Sequence, residues 1–142
     1  LARSGLDVSL ESETALATGM SDYPALSLAD IGRQCDVAVV VGGDGTMLAI
    51  ARELARYDVP LIGVNQGRLG FITDIQLKDV PSALPQILSG RYEREERAML
   101  EGAVVRPLKD GGFETIYVGH AINEVVAAAS EGDEFVEVDE AA

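Results

Sequence analysis

The sequence predicts an α/β fold: a parallel sheet with flanking helices, followed by the opening strands of an antiparallel β unit. Three observations carry that expectation. The runs Asp36-Val37-Ala38-Val39-Val40-Val41 and Pro60-Leu61-Ile62-Gly63-Val64-Asn65 are apolar on both faces, as buried parallel strands are. Between them Met47, Leu48, Ile50, Ala51, Leu54 and Ala55 recur at helical spacing. After Tyr92 the period becomes strand-like, and Lys109-Asp110-Gly111-Gly112 is a hairpin turn signal.

Taken in order, residues 1–5 read as the last turn of a helix stopped by Gly5, and residues 7–11 alternate like a short strand. A helical pattern is expected over residues 30–35. The valine-rich strand, the glycine turn, the helix and the second apolar strand then form a Rossmann-like βαβ unit, for which a right-handed crossover is expected. Residues 66–73 form a turn-rich apolar loop. Asp79 reads as an N-cap, with Pro81 in the first turn of a helix over residues 82–88 and Gly90 just past its end. Strands are expected over residues 98–105 and 115–118. A boundary near residues 90–94 therefore divides an α/β domain, 1–91, from the beginning of an all-β domain, 92–142. That second domain is expected to be truncated. Its acid-rich end, from residue 127, reads as a solvated tail with one edge strand at Phe135-Val136-Glu137-Val138.

A chain of 142 residues, 47% hydrophobic, is long enough for one real core and the start of a second small unit. Its net charge of −13, from 24 acidic and 11 basic residues, argues against nucleic-acid or anionic-membrane partners. A nucleotide would have to be held locally, by backbone N–H groups, a helix N-terminus and a divalent cation, which makes Mg²⁺ a natural companion. Cys35 is the only cysteine, so neither an internal disulfide nor a paired-cysteine zinc site is available. No apolar run reaches the roughly 18 residues that span a bilayer, and no signal peptide is visible, so a cytoplasmic setting is expected. The chain opens on Leu1 rather than Met, from which missing upstream sequence is expected.

The chemistry concentrates at Gly42-Gly43-Asp44-Gly45-Thr46, between a strand and a helix. Glycines there permit positive φ and let a ligand approach the backbone, and the helix opening near Thr46 presents N–H groups and a positive dipole end that suit phosphate. A carboxylate in that place is unfavourable unless it holds a metal or accepts a proton. The plainer alternative is a tight turn in which Asp44 only caps the helix, a task that needs one polar residue and at most one glycine.

The run from Gly42 to Leu48 resembles the GGDGT signature of NAD kinases, a turn shared with diacylglycerol and sphingosine kinases and close to one in phosphofructokinases. Residues 65–73 resemble the NxGxLGF(L/I)T stretch of NAD kinases, and Asn123-Glu124 resembles their Asn-acid motif. Lipid kinases of this superfamily place an Asn-Glu pair soon after the turn, where this chain has Met47-Leu48-Ala49-Ile50. The resemblance implies a bacterial ATP-dependent NAD kinase that phosphorylates the 2′-hydroxyl of the adenosine ribose of NAD. Asp44 would be the general base and Gly45 would help hold NAD. Gly42, Gly43 and Thr46 would shape the ATP phosphate pocket, Phe71 would pack near adenine, and Asn123 and Glu124 would contact the adenosine. ATP and NAD are the implied substrates, Mg²⁺ or another divalent metal the implied cofactor, and a homo-oligomer the implied assembly.

The alternatives are a lipid or sphingoid-base kinase and a non-catalytic nucleotide-binding fragment. The resemblance runs from near Leu1 to about Val126; the later TGSTAY-like segment of the family and the first strand of its α/β domain find no match here. The absent parts are expected to cover apolar surface of this piece. Phe71 and Leu69 are as well explained as core. Arg68, and the Arg91, Arg94 and Arg97 series among acids, read as charged surface, and His120 as structural, with no metal-ligand spacing around it.

Overall fold

The computed structural model describes residues 1–2, 5–67, 70, 72–73, 75–122 and, for the backbone alone, 135–141. The chain divides into two compact units, Leu1–Ala83 and Leu84–Ala142. It combines parallel strands flanked by helices with a later antiparallel sheet, the α/β architecture that the sequence predicts.

In the first unit, β1 (Leu10–Glu11) and β2 (Ala25–Leu26) form a short parallel pair joined through α1 (Ser12–Thr18). The carboxylate of Glu11 caps α1, accepting from the N–H groups of Glu13 and Thr14 at 2.8 Å each, and Gly19 ends it in the left-handed region at φ 68°. Helix α2 (Leu28–Gln34) begins two residues ahead of the expected Asp30, because Ser27 takes the cap: its hydroxyl accepts from Asp30 N–H at 3.1 Å.

The βαβ unit follows as β3 (Ala38–Gly42), α3 (Asp44–Leu54) and β4 (Leu61–Asn65), with β5 (Ile75–Gln76) completing a parallel sheet of order β3-β4-β5. Helix α3 packs on β3 and β4 and beside α2. The core sits where they meet: Leu54 and Val64 are each 1% exposed, with Val40, Ala51 and Ile62 buried around them. Full burial of a side chain such as Leu54 or Val64 contributes about 1.5–3 kcal/mol. Burial of β3 is one-sided, contrary to the two-faced expectation: Val41 is 45% exposed, on a strand that lies at the edge of its sheet.

A 3-10 turn, Leu77–Asp79, leads into α4 (Val80–Leu88). It starts earlier than expected, with Pro81 in its first turn, where a missing N–H costs no ladder bond. Gly90, at φ 85°, closes it: Gly90 N–H donates to Ile87 at 2.9 Å and Arg91 N–H to Gln86 at 2.9 Å, the paired bonds of a left-handed helix stop.

In the second unit β6 (Met99–Pro107) pairs antiparallel with both β7 (Phe113–Ala121) and β8 (Phe135–Ala141), in the order β7-β6-β8. The hairpin closes as the turn signal predicts, with Gly111 at φ 85° and Leu108 N–H donating to Gly112 at 2.7 Å. A bulge lies at Val104/Val105. The expected edge strand near the end of the chain is present and runs three residues further, to Ala141. No helix among the described residues is long and apolar enough to cross a membrane.

Candidate active site

The parallel register sets the site. Gly42 is the partner of Asn65, so the glycine turn and the end of β4 leave the sheet side by side at its carboxyl edge. That edge, where strands feed into loops and helix N-termini, is where open α/β sheets bind ligands. Gln66 N–H donates to Gly42 carbonyl at 3.3 Å and ties the two loops together as they depart.

Helix α3 opens at Asp44, two residues earlier than the expected opening near Thr46. Its N-cap is Gly43, which offers no side chain, and its first ladder bond runs from Met47 N–H to Gly43 carbonyl at 3.0 Å. The N–H groups of Asp44, Gly45 and Thr46 therefore lie in the turn ahead of the ladder, at the positive end of the helix. None of Gly42, Gly43 and Gly45 has positive φ, so that expected reason for glycine does not apply at this turn. Space is the reason instead. A Cβ on Gly42 would come within 2.7 Å of the Thr46 hydroxyl, whereas the same atom on Gly43 or Gly45 would meet nothing within 4 Å. Gly42 thus lets Thr46 fold back over the turn, and Gly43 and Gly45 present bare backbone to open space.

Asp44 is half-buried and reaches across to the loop after β4. Its Oδ1 accepts from Ile72 N–H at 3.3 Å and from the Thr73 hydroxyl at 3.1 Å. These are contacts across 28 and 29 residues of sequence, which a residue serving only as a helix cap would not make. Behind them Asn65 Nδ2 donates to the Thr73 hydroxyl at 2.8 Å, and Gly67 N–H donates to Asn65 Oδ1 at 2.7 Å. Asn65 and Thr73 are the two buried polar residues here, at 3% and 1% exposure. A Cβ on Gly70 would fall among the carboxylate atoms of Asp44, so the loop's backbone lies directly against that group.

The structure brings Gly42, Gly43, Asp44, Gly45 and Thr46 together at one strand-to-helix turn. Phe71, Asn123 and Glu124, along with Arg68 and Leu69, lie outside the described residues. Sequence reasoning singled out residues 65–73 as a motif but gave Asn65, Gly70 and Thr73 no task. The available signal was chemical: an amide and a hydroxyl placed at the two ends of an otherwise apolar, glycine-rich segment. His120 is on β7, its Nε2 3.0 Å from Glu101 Oε2 on β6, an exposed cross-strand pair. Among the described residues no group of three or more His, Cys, Asp or Glu side chains is arranged to hold a metal. An open hollow beside α1, lined by Ala15, Leu16, Met20 and Tyr23 among others, includes none of the glycine-turn residues.

A family model for the ATP-NAD kinase N-terminal domain matches residues 9–92. A NAD kinase from Methylibium petroleiphilum is 53% identical over 138 residues, 97% of this chain and 46% of that protein. One from Cupriavidus pinatubonensis is 57% identical over 128 residues, 90% of this chain and 40% of that protein. The chain thus spans less than half the length of these relatives. Among solved structures, yeast NADH kinase complexed with NADH aligns at a TM-score of 0.62 over 83% of this chain and 38% of its own; at 24% identity that likeness is one of fold.

Proposed function

This chain belongs to the ATP-NAD kinase family, and from that premise we propose that the protein transfers the γ-phosphoryl group of ATP to the 2′-hydroxyl of the adenosine ribose of NAD, yielding NADP. The observation that carries the reading is the Asp44 carboxylate, fixed at the carboxyl edge of a parallel sheet on the first turn of α3.

A sugar hydroxyl is a weak nucleophile, and phosphoryl transfer depends on placing it in line with the phosphorus while its charge is accommodated. Asp44 takes the hydroxyl proton as the ribose oxygen bonds to the γ-phosphorus and the bond from that phosphorus to the β,γ-bridging oxygen breaks, releasing ADP. The bare backbone at Gly43 and Gly45 admits the nucleotides, and the opening turn of α3 turns N–H groups toward phosphate oxygens. Thr46, exposed at that turn, adds a hydroxyl donor. Phe71, Asn123 and Glu124 are proposed to contact the adenosine, as the family resemblance implies.

Near the turn the described side-chain donors are the Asp44 carboxylate and the hydroxyls of Thr46 and Thr73, which do not make a dedicated metal cage. Mg²⁺ is accordingly proposed to arrive chelated by ATP, where it neutralises phosphate charge. A cytoplasmic, homo-oligomeric enzyme is the remainder of this reading.

The test is the product. The whole gene product, given NAD and Mg·ATP, is expected to form NADP, read by an NADP-specific dehydrogenase. Phosphorylation of diacylglycerol or a sphingoid base with no NADP formed would contradict the assignment.

A further inference from the structure

We propose that Asn65 and Thr73 are positioning residues that aim the Asp44 carboxylate, acting through a relay of hydrogen bonds from Gly67 N–H to Asn65, to Thr73, to Asp44. The proposal rests on the reading of Asp44 as proton acceptor and adds to it the parts that hold it in place.

The polarity of the relay is settled by its first member. Gly67 N–H can only donate, so the Asn65 atom facing it at 2.7 Å is the carbonyl Oδ1. The amide Nδ2 therefore faces Thr73, at 2.8 Å, and it too can only donate. The Thr73 hydroxyl must accept that bond, which turns its single proton toward Asp44 Oδ1 at 3.1 Å. A backbone N–H at one end thus delivers a correctly directed donor to a carboxylate at the other. Ile72 N–H adds a second donor to the same oxygen at 3.3 Å, and two donors on one oxygen fix the rotation of the carboxylate about its bond.

Burial makes the arrangement rigid. Thr73 and Asn65 are 1% and 3% exposed, so water does not compete for their polar groups and neither side chain can turn without leaving a partner unsatisfied. Gly63 supports the same geometry: a Cβ there would lie 3.1 Å from Thr73 Cγ2, so its absence lets the loop settle onto β4. Neither Asn65 nor Thr73 has to meet a substrate for this role.

The test is made on the whole gene product. Thr73→Val is expected to lower kcat about 10- to 100-fold, the scale of a misplaced catalytic group, with the NAD dissociation constant within about threefold. Thr73→Ser, which keeps the hydroxyl, is expected to restore kcat to within about threefold of the parent. Asn65→Asp offers the Thr73 proton a competing acceptor, so it is expected to lower kcat by a similar factor. Added to Asp44→Asn, Thr73→Val is expected to change the residual rate less than about twofold, because there is no longer a carboxylate to aim. Parent-like turnover in both Thr73→Val and Asn65→Asp would overturn the proposal. So would loss of NAD affinity in step with kcat, absence of rescue by serine, or full additivity with Asp44→Asn, each of which marks a packing role. Full activity in Asp44→Asn alone would instead sink the proton-acceptor reading, which separates the two failures.

Discussion

Gly70 has to be glycine because the Asp44 carboxylate occupies the place its side chain would take. Gly70→Ala is expected to push that group aside and lower turnover about 100-fold, with the circular dichroism spectrum unchanged. Unaltered kcat would show that the loop yields more easily than its contacts imply. Thr73→Val also has a cost in stability: it removes the acceptor of one buried Asn65 hydrogen bond and the hydroxyl donor to Asp44, worth about 1–3 kcal/mol in a denaturation curve. At the other end of the unit, Glu11 caps α1. Partial desolvation, the largest influence, raises its pKa, but hydrogen bonds from Glu13, Thr14 and Ser12 outweigh it and the net shift is below the ordinary 4.5. A depressed carboxylate pKa contributes stability that is present above that ordinary value and fades as pH falls through the folded one. Glu11→Gln is therefore expected to destabilise at pH 7, and its difference from the parent to shrink below about pH 4.5 in acid titrations of stability.

Helix α2 meets its surroundings through Gly32, where a Cβ would run into the ring of Tyr57, itself flanked by the guanidinium carbons of Arg33 at 5.6 Å and Arg56 at 5.3 Å. Alanine at a helix interior gains about 1 kcal/mol over glycine in propensity, while overpacking costs about 1–3 kcal/mol. The clash involves the root of the ring rather than its tip, so Gly32→Ala is expected to destabilise by about 1 kcal/mol net in chemical denaturation. The same scale shows what could be read in advance. The βαβ unit was legible because a valine run, a glycine turn and a helical period each signal strongly over five or more residues. Helix α1 and strand β2 went unread: α1 is seven residues long and capped by a glutamate, outside the usual capping residues, and β2 has only two residues. Helix α2 starts ahead of Asp30 because Ser27 caps it, a choice that only the folded backbone makes. The glycine turn was legible as a site, but the partners of Asp44 were not, since Thr73 lies 29 residues away and is brought close by the pairing of β3 with β4.

Across the molecule, the charge of −13 and the proposed site are consistent for one physical reason: the phosphate recognition we propose relies on backbone N–H groups at one turn, where short-range dipoles would outweigh a repulsive field. The first unit holds the whole of that turn together with the relay behind it. The chain belongs to the ATP-NAD kinase family, and in the proposed function the carboxylate held against Gly70 and Thr73 is the reacting group. The central claim is that this carboxylate accepts the ribose proton. Its most direct measurement is NADP formation by the whole gene product carrying Asp44→Asn, alongside calorimetry with NAD. The account predicts that turnover is abolished while NAD affinity stays within about tenfold of the parent, since the base is lost and the shape kept; parent-like turnover in that variant would contradict it.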